Sequence, residues 1–460
     1  MELFDHGTSR LLPGLLDVVI MGVYLILIFL IAHSIQNRYK EQIPAYRYFK
    51  LGLFAKLTAA LFFCMVYTLY YAEGGDTIMF FRNSQSLVKL LFVDPLSYIK
   101  ILLGYRGPEV YYIFDNDTGW PWMYRDPESF VVVRITSIFS LLGFGNFYTT
   151  TILVAALSYW GIWKLYLVFC RMYPGLEKYF AWAVLFYPSL VFWGSGILKD
   201  TYSIMAIGWF VYSFYHGLIA KKQMFWHLLS MLLSSYILLI IKPYIVVALL
   251  PGAFIWLTFS RLKQLKTPVM RWFIAPLVIA AFLFIAVSII GFFSQELGAY
   301  RDLDSMIRKA QITQEDLTRA EAYGENFFDI GEIDGTLEGF LRLAPQAVVA
   351  GLYRPFLWDA TNILMLLAGL ENAFLLVISL LILWRTGVVK GIKIIANEPL
   401  LIFSILFAAI FAFAVGVTTA NFGALVRLRM PLLPFLAGAL VIMNYLSVVW
   451  KREKKETENQ

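Results

Sequence analysis

A carboxylate follows two glycines in the segment Gly74-Gly75-Asp76-Thr77, just after the aromatic pair Tyr70-Tyr71. Two glycines let the backbone turn sharply. A carboxylate held beside Ile78, Met79, Phe80 and Phe81 is partly desolvated, which raises its pKa towards general-base use. The plainer reading is that Asp76 caps a helix starting at Thr77, and a cap would also fix the carboxylate in place. Arg82 closes the same segment and joins the candidate substrate-binding cations. More cations gather further along. Lys199 stands beside Asp200 after the break Trp193-Gly194-Ser195-Gly196, where the two charges can simply neutralise each other. Lys242 precedes Pro243-Tyr244, Arg354 lies in Tyr353-Arg354-Pro355-Phe356-Leu357-Trp358-Asp359, and Arg427 and Arg429 flank Leu428 ahead of Met430-Pro431. A guanidinium offers a planar fork that matches phosphate oxygens, so these cations suit a lipid-linked phosphate. Snorkelling of long cationic side chains to lipid headgroups is the competing explanation.

Other chemistries find less material. Asp115-Asn116-Asp117 places two carboxylates one residue apart, a spacing that can share a hard cation such as Mg or Mn. With Thr118 and Gly119 alongside, an Asx-turn explains the same residues. No other cofactor is indicated. Trp120, Trp122 and Tyr124 can stack on sugar rings or form an interfacial aromatic belt. The two cysteines, Cys64 and Cys170, sit in apolar runs, which excludes a disulfide framework. The four histidines, His6, His33, His216 and His227, lack the spacing of a zinc hydrolase. No glycine-rich phosphate loop marks an ATPase or kinase, and nothing at the N-terminus reads as a removable signal peptide.

The elements that must hold these residues are set by composition. Of 460 residues, 60% are apolar, 17% aromatic and only 15% charged, against about 25% charged in soluble domains. Mean hydropathy is +0.69. Such a chain cannot cover its own surface in water, so it reads as an all-α, polytopic membrane bundle with the lipid bilayer as its partner. The net charge of +7 does not point to nucleic acid, because it is sorted by membrane side. About eleven spans are expected, at 15–34, 51–71, 147–169, 180–196, 202–219, 226–242, 244–260, 272–293, 361–384, 399–417 and 430–449. The stretch 129–146 carries Arg134, Gly143 and Gly145 and reads as re-entrant or interfacial. About 21 of the 38 basic residues, against about 6 of the 31 acids, fall in one set of loops, which the positive-inside rule makes cytoplasmic. The N-terminus is then outside and the C-terminus inside.

The chain is thus expected to form one membrane domain, 1–460, with outer loops at 72–146 and 294–360 carrying interfacial helices and a basic cytoplasmic tail at 450–460. In the second loop a surface helix is expected to open at Thr313, with Asp316 completing a capping box. Asp17 inside the first span and Glu371 inside the ninth each call for a buried partner.

The arrangement of Gly74-Gly75-Asp76-Thr77, Tyr187-Pro188-Ser189 through Lys199-Asp200, Arg354-Pro355-Phe356-Leu357-Trp358 and Arg427-Leu428-Arg429 resembles the bacterial GT-C-class integral-membrane glycosyltransferases, in particular their protein-mannosyltransferase-like relatives. The resemblance implies an enzyme of the bacterial inner membrane. It would move a hexosyl or pentosyl group from a polyprenyl-phosphate donor to a glycan, lipid or protein acceptor at the outer face, serving cell-envelope polysaccharide biosynthesis. It implies Asp76 as catalytic base, with Lys199, Arg427, Arg429 and Arg354 holding the departing phosphate. The chain departs from the family in having Thr77 where many members carry a second acid, and in placing the loop after the second span. An O-antigen-type polymerase or ligase is an alternative within the same chemistry. A transporter or flippase of lipid-linked intermediates is the alternative of another class, and it would show charges at mid-membrane and broken helices.

Overall fold

A computed structural model describes residues 11–71, 75–262, 303–317, 327–328, 330–331 and 336–458. The expected span at 272–293, the segment Ala72-Glu73-Gly74, the first ten residues and much of the loop 294–360 lie outside the described residues.

The described chain is all-helical, with no strand beyond one isolated bridge between Phe327 and Asn421. In order the helices are α1 (Leu15–Tyr39), α2 (Phe49–Met65), α3 (Asp76–Val93), α4 (Pro95–Leu102), α5 (Pro127–Leu142), α6 (Phe147–Met172), α7 (Glu177–Phe180), α8 (Pro188–Trp193), α9 (Lys199–Phe214), α10 (Met224–Ile241) and α11 (Pro243–Leu262). They continue with α12 (Leu303–Leu317), α13 (Leu337–Arg342), α14 (Ala344–Tyr353), α15 (Ile363–Thr386), α16 (Val388–Asn397), α17 (Pro399–Thr418), α18 (Phe422–Leu428) and α19 (Leu433–Glu458). Eight helical runs among the described residues are long and apolar enough to cross a membrane: Leu15–Tyr39, Pro44–Tyr70, Phe147–Met172, Met224–Ile241, Pro243–Ser260, Ile363–Thr386, Pro399–Thr418 and Phe422–Trp450. That fits a multi-pass membrane protein. In α1 only Ala32 is buried, while Leu15, Val19, Val23, Ile26 and Leu30 are exposed. A helix apolar on every face needs lipid around it.

Two expected spans take another form. The stretch 180–196 is not one helix: α7 runs into a π-turn at Ala181–Leu185, Pro188 starts α8, and Gly194-Ser195-Gly196 ends it. Proline cannot continue an incoming helix, and the two glycines leave it without stiffness. The stretch 202–219 is helical throughout, as α9 followed by a π-turn at Tyr215–Ile219, but Tyr202, Trp209, Tyr212, Tyr215 and His216 dilute its apolar character and it falls outside the eight. In the first third of the second loop, α12 is already running at Thr313, whose hydroxyl donates to the Lys309 carbonyl one turn back (2.8 Å). A threonine that bonds the preceding turn sits inside a helix, which corrects the expected capping box. Asp17 needs no buried partner either. It lies in the first turn of α1 and accepts the Gly14 N–H (2.8 Å).

Contacts gather the chain into two compact units. Met1–Ala181, Leu190–Tyr212 and Leu233–Lys242 form the first, and Trp182–Ser189, Ser213–Leu232 and Pro243–Gln460 the second. In the first unit α3 packs on α5 and α2 on α6, around Phe63, Ile78, Phe81, Leu87, Phe130 and Phe147. Backbone contact decides the approach of α6 and α9, since a methyl on Gly161 would strike the Met205 carbonyl and one on Gly208 the Gly161 carbonyl. In the second unit α17 packs on α11, α14 and α19. There a methyl on Gly416 would strike the Ala347 carbonyl, and one on Gly351 the Ala412 carbonyl. Small residues that let helix backbones touch are a general device of membrane packing. We expect Gly416→Val to cost about 1–3 kcal/mol by overpacking, read as a lower unfolding midpoint of the purified protein in detergent. An unchanged midpoint would mean that α14 and α17 do not cross at this glycine.

Candidate functional site

The most developed polar cluster lies in the second unit, where α14 ends, α15 begins and α18 leads into α19. Arg429 is fully buried. Its Nη1 donates to the carbonyls of Leu352 (2.9 Å) and Arg354 (3.2 Å), and its Nη2 donates to Asn372 Oδ1. Asn372, buried in α15, donates in turn to the Pro355 carbonyl (2.9 Å). Glu371 places Oε1 at 4.0 Å from Arg429 and accepts the Ser189 N–H on Oε2 (2.8 Å), with Tyr187 beside it. Three consecutive-turn carbonyls, 352, 354 and 355, are therefore held from inside by two buried side chains.

Sequence reads Arg429 as a phosphate ligand; here its two terminal nitrogens hold the turn that carries Arg354, while its buried Nε has no hydrogen-bond partner. Arg429 also supplies the partner that Glu371 required. Arg354 takes the opposite role. Its side chain stays 28% exposed, lies over the rings of Phe328, Phe356 and Phe422 (5.1, 5.7 and 6.0 Å), and reaches Asp359 only at 3.9 Å. Asp359 is fixed by accepting the Phe356 N–H (2.8 Å). Arg354 also lines a cavity of about 400 Å³ with Ile330, Pro345, Gln346, Val349, Ala350 and Phe356. A guanidinium and one amide, Gln346, on a largely apolar wall can receive an anionic head with an apolar tail. Arg427 is half-buried on α18.

The first unit holds the remaining candidates. Asp76 is exposed at the first residue of α3, and Gly75 takes the cap position before it. Thus Asp76 is not the cap, and its carboxylate is not desolvated by burial. A negative charge in the first turn still suits the helix dipole. Gly75 is required here, because a Cβ would come within 2.7 Å of the Tyr67 ring. Arg82 is exposed on the same helix.

Lys199 and Asp200 do not neutralise each other. Lys199 reaches Asp126 (3.3 Å) and Glu128 (3.4 Å) at the start of α5, whereas Asp200, 1% exposed, pairs with the buried Lys242. Burial would raise the Asp126 carboxyl, but the Ser129 hydroxyl and the Lys199 charge outweigh it and hold the group below the usual carboxylate range. Lys242 is consequently tied to a carboxylate, and Lys199 to two.

Asp115 forms the Asx-turn. Its Oδ1 accepts the N–H groups of Asp117 (3.0 Å) and Thr118 (2.9 Å) and the Thr118 hydroxyl (3.0 Å), and the Thr118 bonds hold its carboxyl below its ordinary value. No group of three metal-ligating side chains occurs among the described residues.

Sequence reading missed Asn372 and Lys56. Asn372 could have been found as a second polar residue beside Glu371 inside a span. Lys56 is buried in α2 and donates to the Gly194 carbonyl at the end of α8, so it caps the broken segment. Comparison with known proteins adds nothing to this geometry: no family model, no curated protein and no solved structure matches the chain.

Proposed function

We propose that the chain is a membrane glycosyltransferase that moves a sugar from a polyprenyl-phosphate donor to a glycan, lipid or protein acceptor. The observation that carries this reading is the cavity of about 400 Å³ that Arg354 lines together with mostly apolar residues. A lipid phosphate has the matching chemistry. A general base, the role that the resemblance implies for Asp76, takes the proton of the acceptor hydroxyl, the acceptor oxygen bonds to the anomeric carbon, and the bond from that carbon to the phosphate oxygen breaks. The phosphate leaves with the electron pair, and Arg354 stabilises its charge. Arg427, in the same unit as Arg354, remains a candidate contact for the donor. The finer topology belongs to the same proposal: eleven spans in a bacterial inner membrane, N-terminus outside and C-terminus cytoplasmic, supported by the Lys and Arg asymmetry of the loops.

The test is release of polyprenyl phosphate from a panel of lipid-phosphate sugars by the protein in nanodiscs, with acceptor extract supplied. Asp76→Asn should lower kcat by about 100-fold or more, and Arg354→Gln should raise KM about tenfold. Wild-type protein that releases nothing from any donor would sink the proposal. A second reading, a carrier of the same lipid-linked intermediates, draws on the buried Asp200–Lys242 and Glu371–Arg429 pairs and the broken segment around Pro188. Buried intramembrane charges mark transport pathways as well as active sites. A flux assay in vesicles separates the two.

A further inference from the structure

Arg134 is a buried cation that the proposed reaction does not use. It projects from α5, 9% exposed, and packs near the Phe130 ring (5.8 Å). Of its five donors, Nη1 reaches the Ile101 carbonyl at the end of α4 (3.3 Å), while the buried Nε has no hydrogen-bond partner. Gly104, at φ +112°, leaves room for this approach, since a Cβ there would stand 3.2 Å from Nη1. Among the described residues no carboxylate lies within 4.0 Å of Arg134, and the same holds for Arg106, an exposed residue just beyond Gly104. The nearby acid, Glu109, is held by the Tyr105 hydroxyl. Burial pulls the Arg134 guanidinium below its ordinary value; Tyr236 acts against that shift and the positive charge of Arg106 adds to it.

Arg134, buried with an unsatisfied donor, packs on Gly104, two residues before the second cation Arg106, and the pair makes an incomplete arrangement. A buried guanidinium is normally paired. We propose that Arg134 and Arg106 form a receptor for a phosphate-class oxyanion, whose oxygens take the orphaned Nε–H of Arg134 and bridge it to Arg106. The planar fork fits a phosphate monoester or diester. The shared chemistry is that of an acidic lipid headgroup or of free phosphate. The site is built entirely within the first unit and shares no residue with the Arg354 cavity, so it does not depend on the glycosyl-transfer reading.

The test uses the full chain in nanodiscs. Native mass spectrometry would follow retention of phosphatidylglycerol against phosphatidylcholine, and calorimetry would follow binding of inorganic phosphate. Arg106 is exposed, so Arg106→Gln should leave folding intact, and Arg134→Met keeps an apolar filling at the buried position. Selective phosphatidylglycerol retention, reduced about tenfold by Arg106→Gln and abolished by Arg134→Met, would support a lipid headgroup as occupant. Inorganic phosphate binding lost in the same variants, without lipid preference, would support free phosphate. If neither probe binds wild type more tightly than Arg106→Gln, the proposal is overturned.

Discussion

Arg429→Met is expected to destabilise the protein by about 3–5 kcal/mol, the range for removing one partner of a buried charge cluster. The size follows from what the guanidinium holds. Its removal leaves the Leu352 and Arg354 carbonyls without their donor and Glu371 without the cation at 4.0 Å. Each buried polar group left unmade costs about 1–3 kcal/mol. Adding Glu371→Gln should recover part of the loss, because a neutral amide no longer needs the cation. A double-mutant cycle on unfolding midpoints in mixed micelles would read a coupling of about 0.5–3 kcal/mol. The same variant should weaken donor binding indirectly, since the turn that aims Arg354 loses its internal support. If Arg429→Met proved as stable as wild type while losing donor affinity, the phosphate-ligand role first read for Arg429 would be restored and the burial argument would fail.

The partners of Arg429 show where sequence reasoning reaches its limit. Spans such as Leu15–Tyr39 and Pro399–Thr418 are legible because hydrocarbon forces a long apolar run on any helix that crosses it. Charge placement is legible too, because an Arg or Glu inside such a run stands out. The partner of each charge is not. Lys199 and Asp200 are neighbours in sequence, but consecutive helical residues do not face each other. Each finds its partner on another element, at the start of α5 and the end of α10. Arg354, Arg427 and Arg429 look alike as cations near the ends of apolar runs, and only packing separates the half-exposed Arg354 from the buried Arg429. Thr313 misled for a related reason, since a hydroxyl serves a cap or the preceding turn equally well. The break around Pro188 was visible as a proline and two glycines, whereas its capping by Lys56, 138 residues away, was not.

Adjacent lysine contacts then provide a controlled comparison of burial. Lys242→Met is expected to cost about 3–5 kcal/mol, because it strands the Asp200 carboxylate in a site where only 1% of that residue is exposed. Lys199→Met breaks two contacts but is expected to cost no more than about 1 kcal/mol, since Asp126 and Glu128 remain 50% and 35% exposed and water can take over. The double variant Asp200→Asn/Lys242→Met should regain most of the stability, as a neutral, well-packed pair often matches a buried ion pair. Unfolding midpoints of the three variants beside wild type decide the matter. A larger loss for Lys199→Met than for Lys242→Met would show that the number of contacts, not burial, sets the strength of these pairs. The same ordering bears on function. A phosphate recruited to Lys242 would have to displace Asp200 from a dry site, whereas one recruited to Arg354 displaces a carboxylate only as close as 3.9 Å. Donor affinity should therefore fall with Arg354→Gln and survive the Asp200→Asn/Lys242→Met replacement, provided that pair serves the fold alone.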